Sequence, residues 1–275
     1  RGKRKGGTNP MLTAARFRLR FAKDAGVRFT AHLDVGRWFE RALRRLDLSV
    51  GGGRTRAVKL SFGPPLPLGM TGEDEYLDMQ FTEEVSESFL DGIGRFLPPG
   101  VRLLAARPVQ SSVESLSASI TLADYVVSFP LRRVEEPASG PIAAPEASAD
   151  AFFARLPDAV AAALARPNIE VTRGADSGAI DIRPALVFAR LEPGTGPGGT
   201  PRLFLRTNLA AAGGGRPELL LPALCGEPEL DPRLALIHRT ALRISGAGRE
   251  FSPLEVVELG FPWWRDTLRR QAAGG

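Results

Sequence analysis

From Arg16 to Phe21 polar and apolar residues alternate strictly, which predicts a strand with one buried face. The period then changes. Val35, Trp38, Phe39, Ala42, Leu43 and Leu46 recur at helical spacing, with Arg37, Arg41, Arg44 and Arg45 off that stripe and Thr30 where an N-cap is needed. An amphipathic helix over 31–46 is expected, with Trp38, Phe39 and Leu43 among its most buried side chains. Gly51, Gly52 and Gly53 break the chain before a strand over 58–62, and Pro64, Pro65 and Pro67 stop that strand. Tyr76 to Phe81 alternates again, 86–97 carries a second helical stripe closed by Pro98-Pro99-Gly100, and 101–109 returns as a strand. The order βαββαβ is that of a ferredoxin-like domain, an antiparallel sheet with both helices on one face.

The same rhythm restarts near Leu116: strand 125–130, a Pro/Ala/Ser-rich linker at 136–149, and an Ala-rich helix 150–165 with a break at Pro157. Strands at 169–172, 180–191 and 202–206, a short helix at 217–224 and a strand over 236–244 complete it. The fold class expected is therefore α+β, two tandem ferredoxin-like (βαββαβ) domains with antiparallel sheets. Their bounds read as a basic flexible tail 1–13, a first domain 14–110, a second with long loops 111–249 and a C-terminal tail 250–275.

The net charge of +5 hides an asymmetry: residues 1–62 hold 16 basic and four acidic residues, a balance of +12, against −7 for the remainder. Such a field draws polyanions to one end, because each phosphate neutralised releases counterions. RNA is the partner this suggests, and no feature favours DNA. The phosphate-binding candidates are Arg37, Arg41, Arg44, Arg45, Arg54, Arg56 and Lys59, with Gly51, Gly52 and Gly53 as a loop whose backbone N–H groups could meet an anion.

Cys225 is the single cysteine, so neither a disulfide, nor a cysteine-based zinc site, nor an iron–sulfur cluster can be completed within the chain. No metal and no cofactor is expected. The absence of a long apolar run argues against a membrane span, and RGKRKGGTNP lacks the apolar core of a secretory signal, so a cytoplasmic setting is expected. His32 is a weak candidate for acid–base chemistry. Asp34, two residues on, points about 200° away around a helix and could not orient its imidazole. Glu73-Asp74-Glu75 reads as a solvated run, and His238 as a hydrogen-bonded structural residue.

Several blocks carry a family resemblance: His32-Leu33-Asp34, Arg37, Phe39 to Arg45, Ser61 to Gly69, Glu75-Tyr76-Leu77-Asp78 and Ile180 to Pro184. Between about Ala15 and Leu242 the chain resembles an uncharacterised bacterial family found fused to, or encoded beside, radical SAM enzymes. Its typical members precede the SFGPPLPLG segment with a turn containing histidine and prolines, where this chain has Gly51 to Val58 with neither. The resemblance implies a radical SAM enzyme as partner, while the lone cysteine excludes that this chain is itself such an enzyme. The expected function is a non-catalytic RNA-binding accessory module. The alternatives are a protein-interaction adaptor without RNA contact and an RNA-processing enzyme using His32.

Overall fold

The structure, a computed structural model, describes residues 13–48, 58–110, 113–129, 146–172, 178–194, 199–226, 235–246 and 248–258. The class is α+β, with mostly antiparallel strands and six α-helices among the described residues. Two compact units divide the chain. The first holds the described residues up to Pro65, then Glu75–Ser119 and those from Pro253 on; the second holds Leu66–Asp74 and Ile120–Ser252.

In the first unit the elements are β1 Thr13–Lys23, α1 His32–Arg45, β2 Val58–Phe62, β3 Thr71–Ser86, α2 Phe89–Phe96 and β4 Val101–Pro108. Their strand order is β4-β1-β3-β2, with β1 antiparallel to β4 and β2 antiparallel to β3. The period of two in β1 sends Phe17, Leu19 and Phe21 to one face, where they join Val35, Phe39 and Leu43 of α1 and Phe89 and Ile93 of α2 in a single core. Edge-to-face ring contacts tie it together: Phe17 meets Phe81 and Phe89, while Phe21 meets Phe39 and Phe62. Phe39 and Leu43 are fully buried as expected, whereas Trp38 is only partly buried.

The opposite face of β1 is covered too. Arg18 is fully buried, and its guanidinium grips both carboxylate oxygens of Asp78 on β3, at 2.8 and 3.0 Å. It also donates to the carbonyls of Glu114, just before α3 Leu116–Ser119, and of Pro253, the first residue of α6 Pro253–Glu258. Arg16 shares the same carboxylate. Such a strand has two buried faces, one apolar and one ionic.

The helix α1 ends at its C-cap Leu46, where the expected span 31–46 puts it. Asp47 adopts φ 57°, the Leu48 N–H reaches back to the Leu43 carbonyl at 2.9 Å, and the Asp47 N–H reaches the Arg44 carbonyl at 3.2 Å. This is a Schellman closure with aspartate in the left-handed position, so the helix stops before the triple glycine is reached. At its start the N-cap is Ala31, not Thr30, and no side chain caps it.

The second unit runs β5 Leu122–Ser128, α4 Glu146–Ala165, β6 Glu170–Thr172, β7 Ala179–Asp181, β8 Leu186–Glu192, β9 Arg202–Asn208, α5 Pro217–Leu224, β10 Leu236–Gly246 and β11 Arg249–Phe251. Strands β10-β5-β9-β8 lie in that order, each antiparallel to the next, and β11 pairs antiparallel with β10. Thr71 and Gly72, at the start of β3, pair in parallel with His238 and Arg239 of β10. Two expectations are corrected. The helix α4 continues through Pro157, with Leu156, Val160 and Ala163 buried on either side of it. The single strand expected over 180–191 is two, because Asp181 turns the chain: its carboxylate accepts the N–H groups of Ile169 and Arg183 at 2.8 and 2.9 Å, and a short 3-10 turn over Arg183–Ala185 follows. β6 and β7 consequently form a separate two-stranded ribbon.

Candidate nucleic-acid interface

The helix α1 presents two faces. Val35, Phe39, Ala42 and Leu43 are buried, while Leu33, Arg37, Arg41, Arg44 and Arg45 are exposed. At 1.5 Å per residue, the stretch from Leu33 to Arg45 extends about 18 Å along the axis. The four arginines differ in what they touch. Arg37 pairs with Asp34 at 2.7 Å, both side chains well exposed, and such a pair contributes little and leaves the guanidinium exchangeable. Arg45 lies over the Phe96 ring, 5.5 Å from its centroid. Arg41 and Arg44 have no acidic partner among the described residues. Arg44 and Arg45 occupy the last turn, where cations are favoured by the helix dipole whether or not an anion binds.

Lys59 is exposed on β2, opposite Gln80 of β3. Gly51, Gly52, Gly53, Arg54 and Arg56, the expected phosphate loop, lie outside the described residues. So do the expected tail 1–13, apart from its last residue, and most of the C-terminal tail 250–275.

His32 occupies the first turn of α1, half-buried, with its ring edge-to-face against Phe62 at 4.9 Å between centroids. Phe62 in turn packs on Phe21 and Phe39. The imidazole is thus part of the aromatic packing that seats the start of the helix. Asp34 is engaged with Arg37, as the geometry of a helix requires.

Three features of the structure have no counterpart in the sequence pattern. The first is a pair of exposed apolar side chains at the start of α1, Phe29 at 68 % and Leu33 at 75 % exposure. The alternation of burial in a loop has no period to read, so Phe29 carries no signal. The second is the fate of the acidic run: Glu73 is exposed, but Asp74 and Glu75 are buried, and Asp74 accepts the Leu242 N–H at 2.8 Å. The reading of this run as solvated is therefore corrected. A strand buried on both faces hides neighbouring acids alike, provided hydrogen bonds satisfy them. The third is what His238 meets: its Nδ1 lies 2.7 Å from the Thr71 hydroxyl, and its Nε2 3.8 Å from a Glu73 oxygen. The β3–β10 pairing alone brings these residues together across a long stretch of chain.

In the second unit, arginines serve a different end. Asp124 on β5 accepts hydrogen bonds from Arg206 on β9 and from Arg243 on β10, the latter at 2.8 Å, and Glu250 on β11 also pairs with Arg206 at 2.8 Å. Burial by itself pushes the Asp124 carboxyl up. The hydrogen bonds and charges of Arg206 and Arg243 outweigh that and hold it below the usual aspartate value. Asp181 is likewise lowered, by the backbone N–H groups of Ile169 and Arg183. Asp78 and Asp181 thus sit at structural anchors: one holds the arginines of β1, the other turns the chain after β7.

An α+β protein with an arginine-faced helix on its first unit is what these observations define. The chain belongs to a family described as uncharacterised proteins conserved in bacteria (DUF2344), matched over residues 16–214. That description names neither an activity nor a partner. No curated protein matches the chain.

Proposed function

We propose that this protein is a non-catalytic RNA-binding module, built of two tandem ferredoxin-like units, that works beside a radical SAM enzyme. The observation that carries it is the exposed stripe Arg37, Arg41, Arg44 and Arg45 along one helix, of which only Arg37 has an acidic partner among the described residues. Guanidinium forks spaced along a rigid helix suit successive phosphates, each of which releases counterions as it is neutralised. The ferredoxin-like reading is supported in each unit by a strand order of fourth-first-third-second, β4-β1-β3-β2 and β10-β5-β9-β8. The radical SAM partner rests on the family resemblance of the His32–Arg45 and Ser61–Gly69 blocks, and on no contact within this chain.

Catalysis by His32 is disfavoured, because its ring is committed to Phe62. The test is RNA binding by fluorescence anisotropy over a salt series, comparing the wild type with an Arg41→Ala/Arg44→Ala/Arg45→Ala variant. Affinity should fall steeply with salt, and the log–log slope should become shallower by about 0.7 for each phosphate that is no longer neutralised. Equal slopes, or no binding by the wild type at low salt, would refute RNA binding. Loss of association with a radical SAM enzyme encoded beside it, RNA binding being intact, would give the arginine face to a protein partner instead.

A further inference from the structure

The arginine stripe explains attraction to phosphates, but it does not explain its apolar end. Phe29 and Leu33 are both large, apolar and mostly exposed, and Leu33 lies one helical turn before Arg37 on the same exposed face. Singly exposed apolar residues are ordinary, but two of them within five residues, at the start of a helix whose exposed face is cationic, suit a ligand with both apolar and anionic parts.

The backbone around Phe29 is also fixed. Lys23, nearly buried at the end of β1, donates to the carbonyls of Arg28 and Thr30 at 3.1 and 2.9 Å, one on each side of Phe29. The Thr30 N–H closes a turn onto the Val27 carbonyl at 3.0 Å. A buried ammonium bonded to carbonyls on both sides holds the ring outward on a short, braced loop. The Arg28 guanidinium lies over that ring, 4.6 Å from its centroid, which leaves a ring this exposed with its other face in water.

Resting on the RNA-binding reading, we propose that Phe29 is a stacking platform for an unpaired base, and that the strand then runs along α1 with its phosphates on Arg37, Arg41 and Arg44. The ligand class is therefore single-stranded RNA. A duplex offers the same phosphates but keeps its bases stacked on one another, so it can use the arginines and not the ring. Stacking of a base on an aromatic side chain is sequence-tolerant, so little base preference is expected.

The test uses the full chain with a fluorescein-labelled single-stranded 12-mer RNA and the corresponding 12-base-pair duplex, each titrated at several salt concentrations. Phe29→Ala should weaken single-strand binding about tenfold, within the range typical of removing one base-stacking ring, with an unchanged salt slope and unchanged duplex affinity. Phe29→Tyr should retain wild-type affinity. Phe29→Ala binding the single strand as tightly as the wild type, or losing affinity for the duplex equally, would overturn the stacking platform. In that event a flattened slope for the arginine variant would still support phosphate binding. No RNA binding by the wild type would overturn both readings. Because Phe29 is exposed, Phe29→Ala should unfold at the wild-type temperature, so a loss of binding reports on the ligand.

Discussion

β1 and α1 are consecutive elements of one unit, both rich in arginine, and they use that charge in opposite ways. On β1, Arg18 is fully buried and Arg16 largely so, and together they enclose Asp78. On α1, the four arginines face solvent. The difference follows from the position of each element in its layer. A strand with a neighbour on each side and cover on both faces buries most of its residues, so its buried charges must be paired within the protein. A helix packed through one stripe keeps an outward face, and there charge is free to act on a ligand. The excess of +12 in residues 1–62 is accordingly not all available to a polyanion: Arg16, Arg18 and Lys23 are held by internal partners.

The sharpest way to break this comparison is to remove the acid that β1 depends on. Asp78→Ala leaves a fully buried guanidinium without its carboxylate and should destabilise the protein by about 3–5 kcal/mol in urea unfolding. A cost under about 1 kcal/mol would mean that the β1 arginines are as solvated as those of α1. On the helix the comparable loss should come from its inner stripe, Phe39→Ala also costing about 3–5 kcal/mol.

A smaller effect is expected at Asp124, where two arginines hold a partly buried carboxylate. Its folded-state pKa lies below its unfolded one, so the stabilisation is present above about pH 4, the ordinary aspartate value, and is lost as the pH falls through the depressed value. Asp124→Asn should therefore be less stable than the wild type at pH 7, with the gap closing toward pH 3. A gap that stays constant over that range would remove the carboxylate's charge from the explanation. The smallest change should come from Arg41→Ala/Arg44→Ala, whose stability should stay within about 0.5 kcal/mol per site while the salt dependence of RNA binding flattens. A large drop in stability would show these arginines to be structural, as on β1.

Much of the first unit was legible because its elements are amphipathic with clear periods. The alternation over Arg16–Phe21 and the stripe from Val35 to Leu46 mark real elements, β1 and α1, and the strand stopped by the prolines after Phe62 is β2 to the residue. The α1 arginine face could be read too, since residues off a buried stripe must point elsewhere. In the second unit the turn at Asp181 was not legible. Its cause is a carboxylate accepting N–H groups from Ile169, before β6, and from Arg183, just ahead; an apolar run on either side of it looks like one strand. The end of α1 was legible to within a residue, but not the device that closes it, an aspartate in the left-handed position that glycine ordinarily fills.

Local pattern alone determined the elements of the first unit from β1 to β4, their order and the outward face of α1, because periodicity records which side of each element meets the core. Tertiary structure decided which charges were already taken. Whether Arg18 is a ligand-binding cation or a buried clamp depends on Asp78, 60 residues away on a neighbouring strand. The backbone on both sides of Phe29 is tied by Lys23, a residue that the local pattern of the loop does not point to. Contacts of that kind come from strand order and loop path, and a one-dimensional pattern of polar and apolar residues does not encode them.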